Sequence, residues 1–346
     1  MIGGVTLSDI ARKVGCDKST VSRALRNQPG VDPKTSRRIR EVAEKMGYRP
    51  DPVQAYAAAR RWRDRAAGGT YAVALLMPDY RGDANAEIRR QRTEVIGTLA
   101  RERLAALGCS LDVLDFAEYP SLSSLSRVLS ARGIRGLIIP PLTPLDRDRL
   151  SQFDWSQFTA VGCQAGWSLP PVHVVENDEY YGVQKAWREL VSRGYRRIGP
   201  ALASHAPWAE DDYLRHGAIA AERANVSRDQ SIVPVFDGRT QDRDGFCRWY
   251  ETHRPDAVIG FHLGMYHWLV DMGVRVPEET AFVCLHASSQ NTAVAGLSAQ
   301  LDRIVQVAVD LLMAEIRDNL WGIPALRQRV LIEPVWLEGA SLSPRT

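Results

Sequence analysis

The sequence predicts a chain of two unlike parts, an all-α segment at the N-terminus followed by a larger α/β body. Within residues 1–50, apolar residues recur at helical spacing in three short stretches. From Tyr71 onward, apolar runs alternate with longer amphipathic stretches, which is typical of parallel sheets covered by helices on both faces. Eight runs over about 270 residues favour two doubly wound parallel-sheet subdomains. The runs are Tyr71–Met77, Leu111–Phe116, Gly136–Ile139, Thr159–Gly162, Ile198–Leu202, Ile232–Phe236, Ala257–Phe261 and Ala281–Leu285.

Basic charge is concentrated in the N-terminal part of the chain. Residues 1–70 hold 15 Lys and Arg against seven Asp and Glu, whereas the remaining residues hold 29 against 34. A basic module of this kind suits a polyanion such as nucleic acid.

No apolar run is long enough to span a membrane, and Asp9, Arg12 and Lys13 interrupt the N-terminal stretch where a signal peptide would be apolar, so we expect a cytoplasmic protein. The five dispersed cysteines form no C-x-x-C pair, which argues against a disulfide framework or a zinc knuckle.

Capping residues and helix breakers set the ends of the three N-terminal helices. Asp9 follows Thr6 at the spacing of a capping box, and Pro33 suits the first turn of the third helix. The predicted helices run from Thr6 to Gly15, from Lys18 to Arg26, and from Asp32 to about Met46. Two short helices joined at a glycine form a helix-turn-helix, in which the second helix enters the major groove of DNA.

The second helix leaves a polar face free when Val21 and Leu25 turn toward the core. Lys and Arg suit guanine edges, and Ser hydroxyls suit phosphates or bases. The residues on this face are Asp17, Lys18, Ser19, Ser22, Arg23 and Arg26. The alternative is an ordinary three-helix bundle with a charged face.

The same segment resembles the N-terminal signature of the LacI/GalR family of bacterial repressors. The likeness rests on Val5-Thr6-Leu7-Ser8-Asp9-Ile10-Ala11, Gly15, Ser19-Thr20-Val21-Ser22-Arg23-Ala24-Leu25-Arg26-Asn27, Gly47-Tyr48-Arg49-Pro50 and Pro52. The resemblance implies that Lys18, Ser19 and Arg23 contact bases. It further implies DNA-backbone contacts or caps at Thr6, Thr20, Ser22, Asn27 and Tyr48.

The resemblance also implies a hinge helix near residues 51–60, within a linker over 51–70, that forms on DNA and enters the minor groove. In that family a leucine wedges between base pairs, but this sequence has Ala57 there, preceded by Tyr56. Either Tyr56 wedges between base pairs in place of the leucine, or the protein bends its DNA less, or the base-pair step of the operator deforms more easily. Further phosphate contacts are expected from Arg60, Arg61, Arg63 and Arg65, whose alternative role is a solvated charge run.

For the body, the resemblance implies a periplasmic-binding-protein-like fold, in which three crossovers join two subdomains and a small-molecule effector binds between them. It is carried by Asp178, Gly182, Gly194–Ile198, Pro255–Ile259 and Gly273–Glu278. We expect one subdomain at 71–166 plus 294–325 and the other at 167–293 plus 326–346. The implied assembly is a homodimer on a pseudo-palindromic operator, associated with the bacterial nucleoid.

The effector-binding residues of the family match poorly. The family arginine falls at Leu214, with Arg215 beside it. The pair His262-Leu263 stands where the family has Asn-Asp, and His286 stands at an aspartate position. A carbohydrate-related effector remains the implied class, but a simple hexose is disfavoured. Ligands of such folds bind at the carboxyl ends of strands. The candidates there are Asp79, Tyr80, Gln164, Trp167, His205, Trp208, Arg215, His262, Tyr266 and His286.

Other functions have weaker support. The chain lacks G-x-G-x-x-G, G-x-x-x-x-G-K-[ST] and G-x-S-x-G, so neither a nucleotide-binding enzyme nor an α/β-hydrolase is indicated. A metal site at His262, His267 and His286 is disfavoured, because residues five apart share a helix face poorly. An effector-independent DNA-binding regulator with a degenerate cleft is the alternative that the sequence leaves open.

Overall fold

The computed structural model shows an N-terminal helical headpiece and a body of two α/β subdomains. It describes residues 5–25, 30–48, 71–81, 86–119, 121–142, 144–150, 152–164, 171–205, 209–225, 231–288 and 290–345. Within these residues, no helix combines the length and apolar character needed to cross a membrane.

The headpiece (residues 5–48) contains three helices: α1 (Leu7–Val14), α2 (Lys18–Leu25) and α3 (Pro33–Lys45). Ile10, Val21 and Ile39, one from each helix, are fully buried against one another. This small apolar cluster holds α1 and α2 in place and leaves the polar side of α2 outside. The predicted helix positions are therefore confirmed over the described residues.

The first subdomain is a parallel sheet with helices on both faces. Its strands, in spatial order, are β10 (Arg329–Ile332), β5 (His173–Asn177), β4 (Thr159–Cys163), β3 (Gly136–Ile139), β1 (Tyr71–Met77) and β2 (Cys109–Asp115). Along β1, Val73 and Leu75 face helices α4 (Ala86–Ala106) and α11 (Leu301–Asp318). The alternate residues face α5 (Leu122–Ala131) and α6 (Pro144–Leu150).

The second subdomain repeats this plan. Its strands, in spatial order, are β11 (Val335–Leu337), β9 (Ala295–Ser298), β8 (Ala281–Cys284), β7 (Ala257–Gly260) and β6 (Ile198–Ala201), with β11 antiparallel. Helices α7 (Glu179–Ser192) and α8 (Glu210–Ala224) cover one face. Helices α9 (Arg243–His253) and α10 (Leu263–Asp271) cover the other. The predicted fold class is confirmed.

One predicted strand is wrong. Residues Ile232–Phe236 run beside β6, but only Phe236 pairs there, as an isolated bridge to Ala201. Pro234 lies within this run, and proline has no N–H to donate to a ladder of hydrogen bonds.

The predicted subdomain boundaries also need correction. Strand β5 and strand β10 both belong to the first sheet, whereas β9 belongs to the second. The chain therefore crosses between subdomains after Asn177, after Ser298 and after Ile332, and not near residues 166, 293 and 325. Three crossovers result, as expected, and they leave the carboxyl ends of the main parallel strands of both sheets beside the crossovers.

Strand β5 has polar residues inside the sheet, which explains why hydrophobicity does not indicate it. His173, Glu176 and Asn177 are all buried. His173 accepts the Gln328 N–H at 3.0 Å, and Glu176 forms an ion pair with Arg329 on the neighbouring strand. Polar groups can be buried in a strand when partners of this kind satisfy them.

Candidate functional site

A capping box fixes the start of α1. The Thr6 hydroxyl donates to Asp9 Oδ2 at 2.6 Å, the Thr6 N–H donates to the same oxygen at 3.0 Å, and the Asp9 N–H donates back to Thr6 Oγ1. These hydrogen bonds hold the pKa of Asp9 below its ordinary value. Thr6 is thus a helix cap, one of the two roles predicted for it.

A tight turn sets the angle between α1 and α2. Gly15 has a φ of 77°, in the left-handed region that favours glycine, and its N–H donates to the Ala11 carbonyl at 2.9 Å. From α3, the Arg40 guanidinium donates to the Ala24 carbonyl at 3.4 Å, near the end of α2. Both ends of α2 are therefore held by contacts away from its polar face.

The polar face of α2 is open to solvent. Lys18, Ser19 and Arg23 are exposed, while Thr20 and Ser22 are half-buried. Among the described residues, none forms an ion pair or a side-chain hydrogen bond with Lys18 or Arg23. Two cations without local partners on the second helix of a helix-turn-helix are suited to phosphates and guanine edges. Their roles at DNA stay predictions.

Several predicted contact residues lie outside the described residues, and their roles also stay predictions. Those at the DNA interface are Arg26, Asn27, Tyr56, Ala57, Arg60, Arg61, Arg63 and Arg65. Those at the ligand cleft are Trp167 and Trp208.

Asp79 and Tyr80, which follow β1, are engaged within the first subdomain. Asp79 forms an ion pair with Arg81 at 2.5 Å, and the hydrogen bond from Arg81 lowers the pKa of Asp79 to about 2. The Tyr80 hydroxyl lies 2.6 Å from Thr93 Oγ1. Both side chains are buried and bonded within the subdomain, and their ligand role stays a prediction.

Gln164, at the end of β4, contacts an arginine that the sequence does not single out. Arg92 of α4 donates from Nε to Gln164 Oε1 at 2.6 Å. Burial lowers the pKa of Arg92, although Glu179 and Asp211 of the other subdomain act in the opposite direction. No carboxylate of the described residues lies within ion-pair distance of the Arg92 guanidinium.

Among the described residues, Arg215 is the most enclosed charge of the second subdomain. Its side chain is fully buried and forms ion pairs with Asp212 at 2.5 Å, Asp211 at 2.7 Å and Glu179 at 3.5 Å. The guanidinium also lies 4.3 Å from the centre of the Phe261 ring. Burial alone would lower the pKa of Arg215, but the surrounding carboxylates raise it overall. Arg215 is therefore fully neutralised by its own subdomain.

His205, Asp211 and Asp212 are spaced closely enough to hold a metal ion. His205 Nδ1 lies 3.1 Å from Asp212 Oδ2, and that oxygen also accepts the Ala209 N–H at 2.7 Å. However, the Arg215 guanidinium already occupies both carboxylates, and its positive charge opposes a bound cation. The group acts as a buried ion-pair network.

His286 and Glu179 lie close to this network. The His286 ring stands edge-on to Phe261 at 5.0 Å, and burial lowers the pKa of His286. Glu179 accepts from Asn177 Nδ2 at 3.0 Å. Burial raises the pKa of Glu179, but His286, Arg215, the Asn177 hydrogen bond and Arg92 together lower it below its ordinary value.

His262 and Tyr266 lie on the face of the second sheet that α9 and α10 cover. His262 Nε2 lies 2.7 Å from the Thr240 carbonyl, and its ring packs edge-on against Trp268. Tyr266 packs against Phe282 in the apolar cluster of that face. These contacts account for both side chains without a ligand, and their ligand role stays a prediction.

Residues of both subdomains meet beside Glu179. Arg329 of β10 forms ion pairs with Glu176 in its own sheet and with Glu210 of α8 in the other subdomain. A cavity of about 250 Å³ lies there, lined by Asn177, Asp178, Glu179, Tyr180, Leu214, Arg329 and Leu331.

The structure thus brings Gln164, His205, Arg215 and His286 together with residues that the sequence analysis does not select. These additional residues are Arg92, Asn177, Glu179, Asp211, Asp212 and Phe261. Recognising β5 would have placed Asn177 and Glu179 at a strand end. No local signal distinguishes Arg92, which lies on a helix beyond a strand end.

Comparisons with known proteins agree with this architecture. The family model "Bacterial regulatory proteins, lacI family" matches residues 6–51. Catabolite control protein A of Priestia megaterium is 33% identical over 322 residues, covering 89% of each chain. The HTH-type transcriptional regulator DegA of Bacillus subtilis (strain 168) is 22% identical over 353 residues, covering 98% of each chain.

Among solved structures, a lac repressor dimer bound to operator and the anti-inducer ONPF has a TM-score of 0.57 at 16% identity, covering 98% of this chain and 99% of that one. A complex of the transcriptional regulator CelR with cellobiose has a TM-score of 0.56 at 18% identity, covering 97% and 99%. These likenesses support the fold. Together with the identity to catabolite control protein A, they show that the chain belongs to the LacI family of bacterial DNA-binding transcription regulators.

Proposed function

We propose that this chain regulates transcription by binding a specific DNA sequence through α2, under the control of a small molecule bound between the two subdomains. The observation that carries the DNA-binding part is the face of α2. Lys18, Ser19 and Arg23 are exposed, and the two cations have no partner among the described residues. A buried core that excludes this face holds the helix rigidly.

Two headpieces acting together would recognise two half-sites of a pseudo-palindrome, with the chain as a homodimer. The lac repressor relative, a dimer bound to operator, supports this arrangement. The hinge over 51–70 would add minor-groove and phosphate contacts. Replacing one phosphate-contacting arginine, as in Arg61→Ala, should then reduce the salt slope of binding by about one.

The three crossovers support control by a ligand. A molecule that contacts both subdomains shifts their relative position only if it binds one arrangement more tightly than the other. Polar side chains from both sides lie near the same crossovers, among them Gln164 and Arg92 from one subdomain and Glu179 from the other.

Selection from a random duplex library with the full chain tests the DNA-binding part. We expect enrichment of a sequence with two inverted half-sites, and genomic footprinting should find the same sequence upstream of genes. The absence of any enriched sequence would contradict the proposal.

The selected duplex then allows a test of ligand control. Its affinity for the full chain is measured with and without each member of a broad metabolite panel, and we expect at least one compound to change it. If none does while sequence-specific binding persists, the chain is an effector-independent regulator and the ligand-controlled part of the proposal fails.

A further inference from the structure

We propose that the cleft ligand is a small polyhydroxylated carboxylic acid, and that Arg92 holds its carboxylate. This inference rests on the proposed function, since it names the ligand class of the proposed cleft. It is carried by one arginine without a counter-ion among the described residues and by several buried polar atoms without partners there.

Arg92 is oriented but not neutralised. Its Nε donates to Gln164 Oε1 at 2.6 Å, which fixes the plane of the guanidinium and leaves the two terminal nitrogens for other partners. Among the described residues, none offers these nitrogens a carboxylate at ion-pair distance. A partly enclosed guanidinium held by a neutral amide is favourable for a carboxylate, which it can bind through two parallel hydrogen bonds.

Arg215 does not compete for the acid group. It is fully buried, and Asp211, Asp212 and Glu179 already surround it. An added carboxylate at Arg215 would meet three negative charges at close range. The two arginines therefore differ in role, and the acid group is assigned to Arg92 alone.

The cleft also offers hydrogen-bonding atoms that lack partners among the described residues, one from the first subdomain and two from the second. Asn177 Oδ1, Asp211 Oδ1 and His286 Nδ1 are buried and have no hydrogen-bond partner among the described residues. The first two only accept, so they require donors. Hydroxyl groups of a ligand would supply those donors, and unsatisfied buried polar atoms are costly enough to favour such a ligand.

Contacts connect Arg92 to these atoms. Gln164, which Arg92 contacts, donates its N–H to the Val175 carbonyl at 2.8 Å, two residues before Asn177, and Asn177 Nδ2 donates to Glu179 at 3.0 Å. Glu179 and Asp211 both pair with Arg215, so the anion site and the acceptors lie at the same edge of the two sheets. Because Glu179 and Asp211 are negative, a monoanionic carboxylate is favoured over a dianionic phosphate.

Calorimetric titration of the full chain with matched probes tests the ligand class. The acids are D-glucuronate, D-galacturonate and D-gluconate; the neutral partners are D-glucose, D-galactose and sorbitol, and the phosphate is D-glucose 6-phosphate. We expect at least one acid to bind at least tenfold more tightly than its neutral partner and than the phosphate. Tighter binding of a neutral sugar or of the phosphate overturns the inference, while the cleft would still bind a ligand.

Arg92→Gln tests the anchor, and Arg101→Gln, an exposed position on the same helix, is the matched control. We expect R92Q to weaken binding of the acid by about tenfold to a hundredfold and to leave the affinity for its neutral partner unchanged. R101Q should bind both as wild type does. Arg92→Lys keeps the charge without the planar fork and should fall between R92Q and wild type. Equal acid affinity in wild type and R92Q overturns the inference, as does a panel in which no acid binds. Neither result affects the DNA selection that tests the headpiece.

Discussion

The headpiece and the cleft both depend on arginine, but they use it in opposite ways. Arg23 on α2 is exposed and has no partner among the described residues, while the helix beneath it is held by Ile10, Val21 and Ile39. Arg215 in the second subdomain is fully buried among three carboxylates. In the headpiece, apolar contacts stabilise the fold, and the charge of Arg23 remains available to a binding partner. In the cleft, the charge is itself part of the folded structure.

This difference separates the effects of mutation on folding from those on binding. Removing an exposed, unpaired cation leaves no buried group without a partner, so the fold should persist while DNA binding changes. Removing a buried cation leaves its carboxylates uncompensated in a poorly solvated site, so the fold itself should weaken.

Replacement of Arg215 by methionine should have the largest effect on stability. We expect Arg215→Met to lower the free energy of unfolding of the body by about 3–5 kcal/mol, because Asp211 and Asp212 lose their shared partner. Urea denaturation of the full chain measures it. Arg243→Met, which removes an exposed ion pair with Asp271, is the control and should cost about 1 kcal/mol or less. Similar losses for the two variants would show that Arg215 is not a structural charge.

A cavity in the headpiece core should abolish DNA binding without affecting the body. Ile39→Ala should destabilise the headpiece by about 2–5 kcal/mol, enough to unfold a core of so few side chains. We expect affinity for the selected duplex to be lost while the thermal transition of the body stays unchanged. Glu41→Ala, at an exposed position on the same helix, should retain DNA binding. An Ile39→Ala variant that binds DNA normally would contradict the role given to this core.

The ion pair between the subdomains should contribute least. Arg329→Gln removes the ion pairs with the buried Glu176 and the half-buried Glu210, but Arg329 itself is partly solvated, so the expected loss is about 1–3 kcal/mol, below that of Arg215→Met. The control is Arg317→Gln, whose ion pair with Asp318 lies within one helix. If Arg329→Gln destabilised the body as much as Arg215→Met, the distinction between enclosed and partly solvated charges would fail.

The sequence predicts the headpiece well because its signals are local. The Thr6–Asp9 capping box and the Asp32–Pro33 start of α3 each lie within four residues, and both appear as expected. The apolar strands are predicted for the same reason, since burial on both faces produces continuous hydrophobic runs.

The cleft is predicted less completely because it depends on which strands become neighbours. Strand β5 is polar, and its Glu176 is satisfied by Arg329, 153 residues later in the chain. Arg92 and Glu179 approach one another only after two sheets have formed and the chain has crossed between them. Neither pairing leaves a pattern within a short stretch of sequence, so local reasoning finds Arg215 and His286 but not the groups around them.

The ratio of affinities for the selected duplex and a random duplex, in wild type and in Arg23→Ala, tests the central claim most directly. We predict that Arg23→Ala lowers this ratio on the order of tenfold to a hundredfold per half-site, with unchanged thermal unfolding. Lys45→Ala, an exposed cation of the headpiece that is not on α2, should preserve the ratio. Equal loss of affinity for both duplexes in Arg23→Ala would contradict the account, because it would assign Arg23 to phosphate contacts and leave α2 without its main base-contacting residue.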